Sequence, residues 1–322
     1  MDINKSIIFF GTPEFAVASL DKLLVNNFTV KAVVTTPDKP AGRGKKISLS
    51  PLKVFALEKG IPILQPENLK DINFISELKE LKADLFVVVA FRKLPVEIWE
   101  MPPLGTFNLH ASLLPDYRGA APINWAIING ETETGITTFF LNENIDEGKI
   151  IFNQKIGINA DETFGELYNR MKNIGSELLI KTVNSIFNNN VNTIEQKLFL
   201  DKIKIIKKAP KIQKSDCNIN WNSNSIDIVN KIRGLNPIPT AYTLIVNEND
   251  VEIYLKIFKA KAEIENHNLE IGKIQSDNKS FLRISVPDGY VSLLEIQISG
   301  KNKVKIADFL RGHQVNEHWK IK

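Results

Sequence analysis

The amino-acid sequence predicts an α/β fold, a Rossmann-like open and mostly parallel sheet, joined to a C-terminal OB-like antiparallel β-barrel domain. Three observations carry that prediction. From Ser6 to about Asn142, short β-branched or aromatic runs alternate with amphipathic helical ones, the pattern of a parallel sheet covered by helices. Within it the run DLFVVVA over 84–90 is almost continuously apolar, as expected of a strand buried on both faces. Beyond a lysine-rich stretch the pattern changes to several short strands broken by turn residues, which suits a small barrel. A length of 322 residues accommodates two such domains, divided as 1–189, a basic linker over 190–208, and 209–322.

In chain order, the first domain reads as strands over 6–11, 30–36, 84–90, 105–110 and 135–141, with helices over 14–25, 51–59, 73–81 and 123–128 between them. A further strand over 150–158 returns antiparallel at the sheet edge, and a long amphipathic helix over 163–187 closes the domain. The second domain reads as strands over 242–246, 251–262, 282–286 and 290–298, interrupted by one helix over 226–233. Turn residues such as Asn247-Glu248-Asn249-Asp250 and Pro287-Asp288-Gly289 separate them. A nucleic-acid-binding barrel and a purely structural one both fit this pattern.

Composition is that of an ordinary globular protein, 43% hydrophobic and 24% charged, which excludes disordered, collagen-like and coiled-coil classes. With Cys217 as the only cysteine, an intrachain disulfide, a Cys-rich zinc site, an iron–sulfur cluster and dithiol redox chemistry are all excluded, and a reducing cytoplasm is the expected location. The apolar run Ile7 to Phe10 is too short for a signal-peptide core, and nothing approaches the roughly 18 apolar residues that span a bilayer. A cytoplasmic monomer with no membrane partner is therefore expected.

Charge is unevenly placed. From Ile206 onward there are 18 Lys or Arg against 13 Asp or Glu, whereas the first 205 residues carry 23 against 24. Six lysines crowd the stretch from Lys202 to Lys214, including Lys207, Lys208 and Lys211, a density that would attract a phosphate backbone. A solvated linker is the other reading.

The first strand opens a helix through Gly11-Thr12-Pro13, where a dinucleotide fold would carry its Gly-rich fingerprint; the later glycines are absent. The loop Ala41-Gly42-Arg43-Gly44-Lys45-Lys46 lacks the Ser or Thr of a phosphate loop. It reads equally as a solvated loop or as a finger that touches phosphates. The informative block is Asn108-Leu109-His110-Ala111-Ser112-Leu113-Leu114-Pro115. Strand alternation puts Asn108 and His110 on one face, with Phe107 and Leu109 on the other. His110 ends its strand, and in open α/β sheets ligands bind beyond the carboxyl ends of the strands; a satisfied core histidine is the alternative. Asp146 lies just past the carboxyl end of the next strand, as a third polar group or as a simple turn former.

If the three converge, an amide, an imidazole and a carboxylate suit attack of a neutral amine on a carbonyl: Asn108 donates to a developing oxyanion, His110 shuttles a proton, and Asp146 orients the imidazole. No serine or cysteine pairs with His110 as a nucleophile, and His267, His313 and His318 all fall in the second domain, so no metal set gathers.

The block from Asn108 to Pro122, with Asp146-x-Gly148, resembles the signature of folate-dependent formyltransferases. Within that group, TPDKPAGRGKK over 36–46, IRGLNPIP over 232–239 and DFLRG over 308–312 resemble the methionyl-tRNA formyltransferases, and the resemblance spans essentially the whole chain. It implies formyl transfer from 10-formyltetrahydrofolate to the α-amino group of methionyl initiator tRNA, with Asn108, His110 and Asp146 as the catalytic set. It further implies a folate-binding turn at Ser112, Leu113, Leu114 and Pro115. Arg43, Lys45 and Lys46 would lie on a tRNA-probing loop, and Lys207, Lys208 and Lys211 on the basic bridge. The sequence departs from many relatives at Phe91-Arg92-Lys93, where a glycine-containing uncharged segment borders the folate pocket.

Three rivals are weighed. A sugar-amine formyltransferase shares the chemistry but takes a small acceptor, which the basic bridge and the loop over 41–46 disfavour. Formylation of a purine-precursor ribotide is disfavoured by the second domain, and a non-catalytic RNA-binding role by the intact Asn108, His110 and Asp146.

Overall fold

A computed structural model describes residues 5–41, 46–199 and 205–322, and the chain divides into two compact units. The first comprises 1–119, 134–156 and 168–208. Its centre is a seven-stranded sheet in the order Ile150–Gly157, Glu133–Phe140, Thr106–His110, Leu85–Val89, Ser6–Gly11, Thr29–Val34, Ile63–Leu64. The strands from Thr106–His110 to Ile63–Leu64 pair in parallel, whereas Glu133–Phe140 runs antiparallel to Thr106–His110. Leu85–Val89 is buried at every position, in keeping with its unbroken apolar sequence.

Helices cover the sheet because their starts are chemically specified. Ser50 caps Pro51–Glu58 by accepting from the Lys53 N–H at 3.1 Å, with proline at the first helical position. Asp71 caps Ile72–Glu80 through the Asn73 N–H at 2.8 Å. Glu14–Val25 has Pro13 at its cap, which lacks a side-chain acceptor; the Tyr168 hydroxyl accepts from the Phe15 N–H instead, at 2.9 Å. The long helix Phe164–Phe187 approaches the sheet at Gly175, where an added Cβ would stand 3.3 Å from Ile136 and 3.4 Å from Leu109. One face of the sheet packs Ile8, Phe10, Val34, Phe86 and Val88 against Phe74, Leu78 and Ile98.

The second unit comprises 120–133, 157–167 and 209–322. Strands run in the order Ile274–Ser276, Leu282–Val286, Gly289–Ile298, Glu252–Ile264, Ala241–Val246, Lys320–Ile321, with antiparallel pairing between successive neighbours. A bridge between Lys273 and Lys320 nearly closes the barrel. Helix Ser225–Gly234 plugs it with Ile228 and Ile232, packed among Trp221, Ile257, Ile284, Val291, Phe309 and Trp319.

Two sequence expectations change. The strand expected over 135–141 joins the sheet antiparallel rather than parallel. The helix Pro122–Ile128, read as part of the first domain, groups with the barrel unit, where the Asn124 side-chain amide donates to the Gly234 carbonyl at 2.8 Å. Where the sequence reads as a loop, Lys39–Ala41 pairs antiparallel with Lys46–Ser48. Among the described residues no helix is long and apolar enough to cross a membrane.

Candidate active site

Sequence alternation holds at the end of Thr106–His110: Phe107 and Leu109 are buried, Asn108 is half-buried, and His110 is 6% exposed at the strand's carboxyl end. Among the described residues the Asn108 carboxamide makes no hydrogen bond to protein and stays available to a ligand. His110 is held by a hydrogen bond at one ring nitrogen. Its Nε2 lies 2.8 Å from the Tyr117 carbonyl, and because a carbonyl only accepts, Nε2 carries the proton. Tyr117 is buried at φ +60°, and its own N–H donates to the Lys207 carbonyl at 2.6 Å, so the acceptor that selects the His110 tautomer is itself fixed.

The other nitrogen, Nδ1, faces Asp146 Oδ2 at 3.9 Å. That is too long for a direct hydrogen bond and short enough for a water or an amine to bridge the two. Asp146 Oδ2 also accepts the Gly119 N–H at 3.0 Å. The route by which Asp146 arrives differs from the sequence expectation. Because Glu133–Phe140 is antiparallel, its carboxyl end lies beside the start of the His110 strand, where the Leu141 N–H donates to the Thr106 carbonyl at 2.9 Å. The segment 141–149 loops out toward His110 and returns, the Phe140 N–H donating to the Lys149 carbonyl at 3.0 Å. Gly148 permits the return, since a Cβ there would stand 1.6 Å from the Phe140 oxygen.

The turn after His110 is built from its own polar groups. The Ser112 hydroxyl donates to the Asp116 carbonyl at 2.7 Å; Thr137 Oγ1 donates to the Ser112 carbonyl at 2.7 Å and accepts from the Leu114 N–H at 3.2 Å. Leu114 packs on Phe139 and Ile150, Pro115 is buried, and Leu113 is half-buried. Ser112 and Leu114 therefore shape the turn, and their side chains face inward.

Arg92 and Lys93 make local contacts. The Arg92 guanidinium donates to the carbonyls of Pro66 and Glu67, and burial lowers its pKa. Lys93 Nζ donates to the Glu143 carbonyl at 2.9 Å. Both line a cleft of about 610 Å³ that includes Leu69, Leu94 and Trp99 but not His110 or Asp146.

Of the basic residues, Arg43 and Lys45 lie outside the described residues, as does the side chain of Lys46. Lys207, Lys208 and Lys211 are exposed, and the Lys207 ammonium stands 6.0 Å above the Tyr117 ring. Next to the paired strands Lys39–Ala41 and Lys46–Ser48, Lys53 donates to Asp38 at 2.5 Å and to the Gln65 carboxamide at 2.6 Å. Among the described residues, no group of three or more His, Cys, Asp or Glu side chains could hold a metal. Sequence reasoning overlooked Tyr117, Arg118, Gly119 and Gln196; Tyr117, Arg118 and Gly119 stood inside the block that carries the resemblance, whereas Gln196 carried no local signal.

The sequence of residues 4–183 matches the formyl transferase family model, and 211–314 matches its C-terminal domain model. A methionyl-tRNA formyltransferase of Flavobacterium johnsoniae is 49% identical, and one of Bacteroides thetaiotaomicron 46%, each covering 98% of both chains. Among solved structures, the N-formyltransferase of Helicobacter canadensis in complex with folinic acid and dTDP-3-aminofucose has a TM-score of 0.64 at 24% identity, over 93% of this chain and all of that one. With that full-length similarity added to the two-unit fold, the chain belongs to the formyl transferase family and, within it, to the methionyl-tRNA formyltransferases.

Proposed function

We propose that this chain transfers the formyl group of 10-formyltetrahydrofolate to the α-amino group of methionyl initiator tRNA, by direct amine attack with Asn108, His110 and Asp146 as the catalytic residues. The observation that carries the reading is the pairing of His110 Nδ1 with Asp146 Oδ2 at 3.9 Å, in a chain similar to methionyl-tRNA formyltransferases over 98% of its length.

The chemistry follows from which nitrogen is free. The Nε2 proton is committed to the Tyr117 carbonyl, so Nδ1 holds the lone pair and takes the proton that the attacking amine gives up. The nearby Asp146 carboxylate, oriented by the Gly119 N–H, stabilises the imidazolium so formed. Asn108 donates to the oxyanion on the formyl oxygen. As the new C–N bond forms and the bond to folate N10 breaks, Nδ1–H returns its proton to the departing nitrogen. Neither a metal nor a covalent enzyme intermediate is needed.

The half-buried Asn108 and the half-buried apolar Leu113, in the turn that follows the same strand, fit a folate as formyl donor. We assign Ser112 to Pro115 to its binding, Arg43, Lys45 and Lys46 to the tRNA acceptor stem, and Lys207, Lys208 and Lys211 to tRNA phosphates. We assign the chain to the cytoplasm as a monomer. The test is formyl transfer from 10-formyltetrahydrofolate to charged initiator tRNA, with uncharged tRNA and an amino-sugar nucleotide as competing acceptors. Charged tRNA should react with the highest kcat/KM, and preferential formylation of the amino sugar would refute the assignment.

A further inference from the structure

Gln196 lies in the short turn Gln196–Phe199, beyond the residues 4–183 matched by the catalytic family model, yet it reaches the loop that carries Asp146. Its side chain is 2% exposed, and every polar function of its carboxamide is engaged. The oxygen accepts from Arg118 Nε at 3.1 Å and from Arg118 Nη2 at 2.6 Å. The NH2 donates to the Asp146 and Gly148 carbonyls, each at 2.9 Å. A guanidinium only donates and a carbonyl only accepts, so this orientation of the amide is the one that satisfies all four bonds. Arg118 extends the clamp by donating from Nη1 to Glu147 Oε1 at 2.7 Å.

Asp146 requires such a clamp. Its backbone sits at φ +56°, a left-handed conformation that is strained for a non-glycine residue and persists where the surroundings over-determine it. Its carboxylate is tied by the Gly119 N–H, which fixes one oxygen but not the backbone from which it projects. Gln196 supplies that second constraint on both sides of Glu147, and it is buried, so water cannot replace it without opening the loop.

We propose that Gln196 is a positioning residue for formyl transfer: its carboxamide, oriented by Arg118, holds the backbone of Asp146 so that the carboxylate stands against His110. The inference rests on the catalytic role assigned to Asp146. It implies that Gln196 acts through that carboxylate alone. Displacing a catalytic group by about 1 Å costs on the order of 100-fold in rate, so loss of the clamp should reduce kcat by roughly 10- to 100-fold.

The experiment is a double-mutant cycle on the full-length protein. Gln196→Glu keeps the acceptor facing Arg118 and replaces the two donors with an oxygen that opposes the carbonyls; Gln196→Met keeps length and burial without hydrogen bonds. Each is measured alone and with Asp146→Asn, following kcat, KM for both substrates, and the melting temperature. The expected result is a 10- to 100-fold fall in kcat for the single variants, KM values within threefold, and less than twofold further loss in the Asp146→Asn background. If Asp146→Asn is impaired and the Gln196 variants lose as much in its background as alone, Gln196 is merely structural and the inference is overturned. Unfolding of both Gln196 variants at assay temperature overturns it in the same way. Full turnover by Asp146→Asn refutes the assigned role of Asp146 itself, and this inference with it.

Discussion

Replacing His110 with alanine separates catalysis from stability, because the two effects have different sizes. His110 is 6% exposed and makes one short hydrogen bond, to the Tyr117 carbonyl at 2.8 Å. Its loss costs about 1 kcal/mol for the bond and up to roughly 3 kcal/mol if the carbonyl stays buried and unpaired. That is smaller than the 5–15 kcal/mol by which domains of this kind are stable, so the variant should remain folded. Loss of the proton acceptor is larger in kinetic terms. General acid–base catalysis contributes about 10²- to 10⁴-fold, or roughly 3 to 5.5 kcal/mol of barrier at 1.36 kcal/mol per tenfold. The assay is single-turnover formyl transfer at saturating folate and charged tRNA, alongside thermal unfolding by circular dichroism. The expected outcome is a folded protein with normal tRNA affinity and turnover down by 10²- to 10⁴-fold. A variant that fails to fold makes His110 a core residue, and one that keeps turnover within tenfold removes it from the mechanism.

Gly148→Ala forces a Cβ to within 1.6 Å of the Phe140 oxygen, and should destabilise the sheet unit by about 3 kcal/mol or more while displacing Asp146; an unchanged melting temperature would show that the loop return is not tight. Affinity for tRNA should fall steeply with salt, and replacing Lys207, Lys208 and Lys211 together by alanine should flatten the log–log slope by roughly 0.7 to 0.9 per lost phosphate contact, whereas a flat wild-type profile would remove the basic stretch from the interface. Glu166 accepts from the Thr163 N–H at 2.8 Å and from its hydroxyl at 2.7 Å, which lowers its pKa. Its contribution is therefore complete above the ordinary value of 4.5 and is lost as pH falls through the lower folded value. Glu166→Gln should cost about 1 kcal/mol or less near neutrality and nothing in strong acid; a difference that grows on acidification would contradict the capping geometry.

Much of the architecture is legible in local pattern. Ser6–Gly11, Glu14–Val25 and Leu282–Val286 begin and end where periodicity and turn residues place them. The two-residue strand Ile63–Leu64 and the single-turn helix Val96–Trp99 escape, because elements that short carry no measurable period. The antiparallel pair of Lys39–Ala41 with Lys46–Ser48 escapes for another reason: proline, glycine and charge read as loop, and only backbone pairing reveals strands.

What the sequence alone determined is the common face of Asn108 and His110 and the burial of Phe107 and Leu109, because a strand's side chains alternate wherever the strand lies. The chain's resemblance to folate-dependent formyltransferases was likewise carried by short motifs, each legible locally though separated along the chain. Whether Asp146 meets His110 was decided by tertiary structure. It depends on a strand that reverses direction, a glycine that lets the loop return, the Gly119 N–H, and a glutamine fifty residues downstream of Asp146. Local periodicity reports which face a residue takes on its own element; it holds no record of contacts between distant segments, and in this protein those contacts bring carboxylate and imidazole together.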